Sequence, residues 1–323
     1  MKAIALLSGG LDSILAAKII MEQGIEVEGL TFETPFFGAR KARKVAQNIG
    51  LPLSTMDITE EHLEMLKAPR YGYGKNMNPC IDCHILMLKN AGRRMEASGA
   101  DFVVTGEVLG QRPMSQGRQS LDVVAKRSGY PEYILRPLSA RLLVETKPEK
   151  EGKVERQKLF DIQGRSRKRQ MEMAKQYGII GYSAPAGGCL LTDPMFAKRI
   201  KDLFAHRGDF RIRDVELLKF GRHFRINETT AIIAGRNSSD NEAIQRLYEE
   251  GDIMVQMAHF PGPTVIVPYG GDDEICRHAA AICAYYSDAP KDVENIAACT
   301  VGENVTLLTT KAFPKGLLEK WII

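Results

Sequence analysis

The sequence has no long apolar run. None approaches the length needed to span a bilayer, and the N-terminal apolar patch Ala3–Leu7 is too short for a signal-peptide core, so the expected compartment is the cytoplasm, with no membrane partner. The cysteine density of a disulfide scaffold is also missing. Six cysteines in 323 residues, two of them spaced as Cys80-x-x-Cys83, fit thiol, metal or cluster chemistry in a reducing compartment instead. There is no internal repeat and no low-complexity segment. Two common nucleotide signatures, Gly-x-x-x-x-Gly-Lys-Ser/Thr and Gly-x-Gly-x-x-Gly, are absent, which excludes the ordinary P-loop and the dinucleotide fold. Nor does one sign of charge dominate: the net charge is +4, and 44% hydrophobic with 26% charged residues is ordinary for a globular chain long enough for two packed domains.

What is present begins at the N-terminus. A short apolar strand runs directly into Ser8-Gly9-Gly10-Leu11-Asp12-Ser13 and then into a helix-like stretch. Gly9 and Gly10 lack Cβ atoms, so the backbone can turn sharply and bring its N–H groups against an anion, while the following helix directs its unpaired N–H groups and positive dipole end at the same point. Ser8 and Ser13 add hydroxyl donors. The layout is that of a phosphate cradle.

The first half continues as strand–helix units: strands Ala3–Leu7, Glu26–Phe32 and Leu53–Asp57, each followed by a helix, predict a mostly parallel, doubly wound α/β sheet. A helix over 81–97, a strand over 101–105 that turns at Thr105-Gly106-Glu107, and a last strand over 133–138 complete it. Ligands of such sheets bind beyond the carboxyl ends of the strands, where Ser8–Ser13, the segment after Phe32 and Thr105–Gln111 all fall. Residues 145–193 read as a connection with a basic helix over 160–177 and a loop, Ser183-Ala-Pro-Ala-Gly-Gly-Cys189, and 194–323 as a second, α+β domain. Lys147–Lys175 holds ten basic residues against five acidic and Lys198–Arg225 nine against four, which suggests a polyanion-facing surface as readily as solvated helix faces.

Cys80 and Cys83 sit just ahead of a helix, in Asn78-Pro79-Cys80-Ile81-Asp82-Cys83-His84, where the helix dipole is expected to lower a thiol pKa. Cys189 stands in a Gly-Gly-Cys loop over a hundred residues later. Three such cysteines can hold three irons of a [4Fe-4S] cluster and leave one iron open, or one can carry a persulfide that another resolves. A structural Cys₃His zinc site with His84 is a further option. Cys276, Cys283 and Cys299 lie in apolar surroundings and read as core.

Ser8–Ser13 closely resembles the PP-loop of the ATP pyrophosphatases, Ser-Gly-Gly-x-Asp-Ser. Together with Asn-Pro-Cys80-x-x-Cys83, the Thr105-Gly106 turn and the distant Cys189, residues 1–193 resemble the PP-loop tRNA thiolation enzymes, the 2-thiouridylase and 4-thiouridine synthetase group. The turn differs in carrying Glu107 rather than a histidine, and no THUMP-like or rhodanese-like segment precedes the cradle. The resemblance implies an adenine nucleotide alpha hydrolase-like fold and an ATP-dependent tRNA sulfurtransferase. In it, Ser8, Gly9, Gly10, Leu11, Asp12, Ser13, Phe32, Thr105 and Gly106 bind ATP, and Asp12 places Mg²⁺. Cys80, Cys83 and Cys189 handle sulfur, with or without a [4Fe-4S] cluster. Its expected partners are tRNA and a sulfur donor, either sulfide or a persulfide carrier protein, with a homodimer left open. In the second domain, Arg222-His-Phe-Arg225, Gly235-Arg236-Asn237 followed by Asn241, and His259-Phe260-Pro261-Gly262-Pro263 resemble the RNA-binding module of the NFACT proteins. That resemblance implies that Arg222, Arg225, Arg236, Asn237, Asn241 and His259 face phosphate or base edges and that Phe260 offers a ring for stacking. Two alternatives share these features: a PP-loop ligase or amidotransferase-type enzyme acting on a small molecule, and a non-catalytic RNA-binding adaptor.

Overall fold

Strand β1 (Lys2–Leu6) buries Ala3, Ile4 and Ala5 in succession, the pattern of a strand covered on both faces. Its neighbours are β2 (Glu26–Glu33), which pairs with it in parallel from Lys2↔Glu26 to Leu6↔Leu30, and β4 (Phe102–Val104), parallel through Ala3↔Phe102. With β3 (Leu53–Asp57) and β5 (Ile134–Leu135) the order is β3-β2-β1-β4-β5, all parallel. Chain order therefore reverses between β1 and β4, and a crevice opens beyond their carboxyl ends.

Helix α1 (Leu11–Met21) is apolar nearly all round and is buried accordingly, with Ile14, Leu15, Ile19 and Ile20 at 3% exposure or less. Each such side chain contributes roughly 1.5–3 kcal/mol of burial. The remaining helices of this part are α2 (Arg40–Asn48), α3 (Thr59–Lys67), α4 (Cys80–Ser98), α5 (Arg118–Ser128), α6 (Lys147–Lys150) and α7 (Lys168–Gln176). The structure is a computed structural model that describes residues 1–112, 114–182 and 188–323. It divides into two compact units, Met1–Asp193 and Pro194–Ile323. Residues 183–187 of the expected loop before Cys189 lie outside the described residues.

Two expectations need correction, and one helix is new. The basic helix read over 160–177 is helical only in α7, because the preceding stretch is drawn out against the loop after β4: Leu109 and Gln163 form a parallel bridge, and Gly164, at φ +82°, donates its N–H to Leu109 O at 2.8 Å. The strand over 133–138 shortens to β5. Helix α5, which pattern reading passed over, packs Leu121 and Val124 into the core.

The second unit is built on a six-stranded antiparallel sheet, order β11-β10-β8-β9-β7-β6. Its elements are α8 (Pro194–His206), α9 (Ile212–Leu217), β6 (Arg222–Arg225), β7 (Ala231–Ala234), α10 (Ser238–Arg246), β8 (Ile253–Met257), β9 (Val265–Val267), α11 (Asp273–Tyr286), β10 (Asn295–Val301), β11 (Asn304–Thr310) and α12 (Lys315–Trp321). The alanine-rich α11, capped by Asp272 accepting from Ile275 N at 2.9 Å, lies on the sheet with Cys276, Cys283 and Cys299 buried in the core, as expected. Cys276 and Cys299 meet there sulfur to sulfur. Among the described residues of both units no helix is long and apolar enough to cross a membrane.

Candidate nucleotide and thiol site

The crevice between β1 and β4 is floored by the cradle. Gly9 adopts φ +74°, open to glycine at no steric cost, and a Cβ there would stand 2.8 Å from the Lys41 carbonyl carbon, so the turn lies directly against the first turn of α2. Gly10 precedes α1 in extended conformation and gives it no side-chain cap, which leaves the first-turn N–H groups for another acceptor. Ser13 is spent on shaping the loop: its hydroxyl donates to Gly10 O at 2.8 Å and lies 3.2 Å from the exposed Ser8 hydroxyl. Leu11 and Phe32 point into the core, at 0% and 5% exposure, so their side chains are not available to a ligand. Thr105 is likewise occupied, its hydroxyl accepting from Glu107 N at 3.2 Å.

Gly106 decides whether the two halves of the crevice can meet. A Cβ on it would overlap the Ser13 nitrogen and come 2.6 Å from the Asp12 carbonyl carbon, so the β4 turn packs backbone to backbone on α1. Above that contact, three side chains converge. Gln111 Nε2 donates to Asp12 Oδ2 at 2.9 Å, and an Arg167 guanidinium nitrogen lies 3.8 Å from the same oxygen. Asp12 Oδ1, Gln111 Oε1 and Arg167 Nε are all buried without a hydrogen-bond partner among the described residues. Three unpaired polar atoms in one crevice leave hydrogen-bonding capacity that a polar ligand could take up. The free Asp12 oxygen suits a hard cation, and the arginine suits phosphate. Arg167 is not singled out by the sequence: it sits in a basic run that reads as a polyanion-facing surface or as solvated helix faces, and the Leu109/Gln163 bridge is what brings it here.

The thiols lie beside this crevice. Cys80 opens α4 and accepts a hydrogen bond from Asn78 Nδ2 at 3.2 Å. The segment carrying Cys189 is fastened to the same unit by Leu190 N donating to Phe36 O at 3.0 Å and by Asn76 Nδ2 donating to Thr192 O at 2.7 Å. The structure brings the three sulfurs into one electrostatic neighbourhood. Burial pushes the Cys83 thiol well above the ordinary range, and the nearby Cys189 and Cys80 push it further. Cys189 rises to about 11, again chiefly through burial and with Cys80 adding to it. The expectation of a lowered pKa is thus overturned at Cys83, where desolvation outweighs the helix dipole. Among the described residues no group of three or more histidine, cysteine, aspartate or glutamate side chains is arranged to hold a metal ion.

A buried ionic chain joins the two halves. Glu107, directly after Gly106, accepts from Arg136 Nε at 2.9 Å with one oxygen and lies 2.7 Å from His84 Nδ1 with the other. Burial alone would raise its carboxyl, but Arg136 and His84 outweigh it and hold it down at about 2. Glu107 thereby ties the turn after β4 to the start of α4.

In the second unit, the predicted RNA donors are mostly engaged within the fold. Asn237 caps α10 by accepting from Asp240 N at 2.9 Å, and Arg236 Nε pairs with Asp240 at 2.6 Å. Asn241 accepts from Thr264 N and donates to Gly262 O. Arg225 pairs with Asp202, and Arg222 covers the Tyr286 ring at 4.4 Å. His259 and Phe260 are exposed.

Residues 1–141 match the family model described as thiamine biosynthesis protein (ThiI), and residues 221–322 match the one described as NFACT protein RNA binding domain. The resemblance read from the cradle, the cysteines and the second domain is borne out: one family model matches the cradle region and the other the second domain, each over less than half of the chain. A tRNA-specific 2-thiouridylase of Syntrophotalea carbinolica is 35% identical over 114 residues, which is 31% of this chain and 32% of that protein. A probable tRNA sulfurtransferase of Thermococcus kodakarensis is 31% identical over 142 residues, or 42% and 36% of the two chains. The chain thus spans about a third of the length of these relatives. A solved 4-thiouridine synthetase–RNA complex with bound ATP shows 26% identity and a TM-score of 0.35, covering 42% of this chain and 36% of that one.

Proposed function

We propose that this chain is an ATP-dependent tRNA sulfurtransferase. A uridine carbonyl oxygen attacks the α-phosphorus of ATP and displaces pyrophosphate, leaving the base carbon bonded to an AMP leaving group. A sulfur nucleophile then adds to that carbon, the C–O bond breaks, and AMP departs with the oxygen. The observation that carries this reading is the convergence of Asp12 Oδ1, Gln111 Oε1 and Arg167 Nε, all unpartnered, over the uncapped start of α1, with three thiols alongside. The first-turn N–H groups and Ser8 hold phosphate, and Arg167 stabilises the departing pyrophosphate. A magnesium ion at Asp12 would neutralise phosphate charge.

Sulfur chemistry is assigned to the thiols themselves. With a persulfide on one cysteine, its outer sulfur attacks the base, and a second cysteine thiolate then breaks the S–S bond, leaving a disulfide that an external dithiol reduces. A persulfide carrier protein supplies the outer sulfur by transferring it to the cysteine thiolate, whereas sulfide, which forms no persulfide without an oxidant, adds to the activated carbon directly; the cytoplasm is the compartment this chemistry implies. The second unit supplies RNA affinity.

The test incubates the protein with tRNA, α-labelled ATP, Mg²⁺, sulfide and a dithiol. AMP formation that requires tRNA, together with a thiolated nucleoside, is the expected result; the absence of both refutes the proposal. Turnover that survives Cys80→Ser and Cys189→Ser with no thiolated product would favour a small-molecule ligase.

A further inference from the structure

The stretch Pro69-Arg70-Tyr71-Gly72-Tyr73-Gly74-Lys75-Asn76-Met77-Asn78, separated from the first thiol by Pro79, interleaves two aromatic and two basic side chains. Tyr71 and Tyr73 are 37% and 38% exposed, so each shows part of its ring to solvent. The hydroxyl of Tyr73 donates to Leu66 O at 2.7 Å, which fixes its ring. That of Tyr71 has no partner among the described residues, and the exposed Arg70 and Lys75 form no ion pair among them.

The loop is nevertheless held firmly. The buried Asp82 carboxylate, in the first turn of α4, accepts the backbone N–H groups of Arg70 at 3.1 Å and Tyr71 at 3.0 Å. Gly74 N donates to Asn78 O at 2.9 Å, and Asn76 ties the loop to the Cys189 segment. A carboxylate that spends both oxygens on backbone N–H groups beside Cys80 and Cys83 fixes where Tyr71 stands relative to the thiols.

We infer that this loop is the RNA-receiving wall of the thiol site: Tyr71 stacks on an unpaired base at or next to the reacting uridine, and Arg70 and Lys75 contact the flanking phosphates. The inference rests on the thiolation reading and adds the element that holds the unstacked nucleotide. An enzyme that modifies a base carbonyl must take the base out of its stack, and an aromatic face with neighbouring cations replaces that stacking whatever the base. Charge complementarity selects the occupant, since free cations flanking an exposed ring suit a single-stranded polyanion.

The test uses the full chain. Ultraviolet crosslinking to tRNA, followed by tryptic digestion, is expected to give an RNA adduct on the fragment Tyr71–Lys75. In steady-state thiolation with sulfide as donor, Tyr71→Ala raises KM for tRNA by about tenfold and leaves KM for ATP unchanged, and Tyr71→Phe restores it. Arg70→Ala with Lys75→Ala flattens the salt dependence of tRNA binding. Adducts confined to other segments, together with an unchanged KM in Tyr71→Ala, overturn the inference. So does a Tyr71→Ala defect that appears only with a protein sulfur donor, which would make the loop a carrier-docking surface. If the wild-type chain thiolates no tRNA, the thiolation reading falls, and the adduct at 71–75 still decides whether the loop binds RNA.

Discussion

Substituting Gly106 by alanine isolates the contact on which the crevice depends. Its backbone lies outside the left-handed region, so the added methyl acts by volume alone. That methyl would stand 2.6 Å from the Asp12 carbonyl carbon, where ordinary contact begins at 3.4 Å, and the obstructing atoms are backbone on both sides. Neither side has a rotamer to change, so the β4 turn must withdraw from α1 by roughly 1 Å, the shift that the still closer Ser13 nitrogen demands. Overpacking of this kind costs about 1–3 kcal/mol, and the rigidity of both partners places Gly106→Ala near 3 kcal/mol. A shift approaching 1 Å between the cradle and the turn that carries Glu107 lowers a positioned reaction by ~10²-fold. Urea unfolding of the full chain reads the first quantity and tRNA-dependent AMP formation the second. Gly38→Ala is the matched control, because nothing stands within 4 Å of its added methyl. A Gly106→Ala protein within about 0.5 kcal/mol of wild type and within about twofold in rate would refute the reasoning.

His62 is fully buried between Phe36 and Phe37 with both ring nitrogens unpartnered, and burial lowers its pKa to about 4. The folded chain keeps it neutral while the unfolded chain protonates it below the usual 6.5, so its contribution, roughly 3 kcal/mol, is complete above about pH 6.5 and lost as pH falls toward 4. His62→Leu should therefore flatten the wild-type stability profile between those pH values, read by urea midpoints. Glu107→Gln leaves Arg136 buried without its counter-charge and should cost about 3–5 kcal/mol in the same assay, whereas Glu107→Gln together with Arg136→Met should recover much of it. Arg167→Ala should lower kcat for AMP formation by ~10²-fold with the urea midpoint unmoved, since its partners are a 3.8 Å contact and an empty direction; unchanged kcat would remove Arg167 from the site.

The parts legible in the sequence are those where local pattern and tertiary environment agree. An apolar strand, two glycines and an apolar helix could hardly form anything but a buried βα unit with a cradle between, and the structure has one. Arg167 was hidden because its role comes from a backbone bridge between residues 109 and 163, and no helical or strand period encodes a pairing over that distance. Asn237 and Asn241 were read as donors for RNA because their chemistry permits it, yet the same donors and acceptors are those that cap a helix and staple a loop, and the fold claims them first. At Cys83 two correct principles compete, and burial wins over the dipole.

The short stretch Cys80–His84 shows why the sequence signal there is dense. In the proposed reaction Cys80 and Cys83 handle the sulfur, while Asp82 holds the Tyr71 loop and His84 reaches Glu107 behind the β4 turn. One turn of helix is thereby coupled to thiol, loop and cradle at once. A substitution that tilts the start of α4 must disturb all three together, whereas one within the cradle disturbs adenylation first, so the two classes of variant should separate by whether AMP formation or sulfur insertion fails.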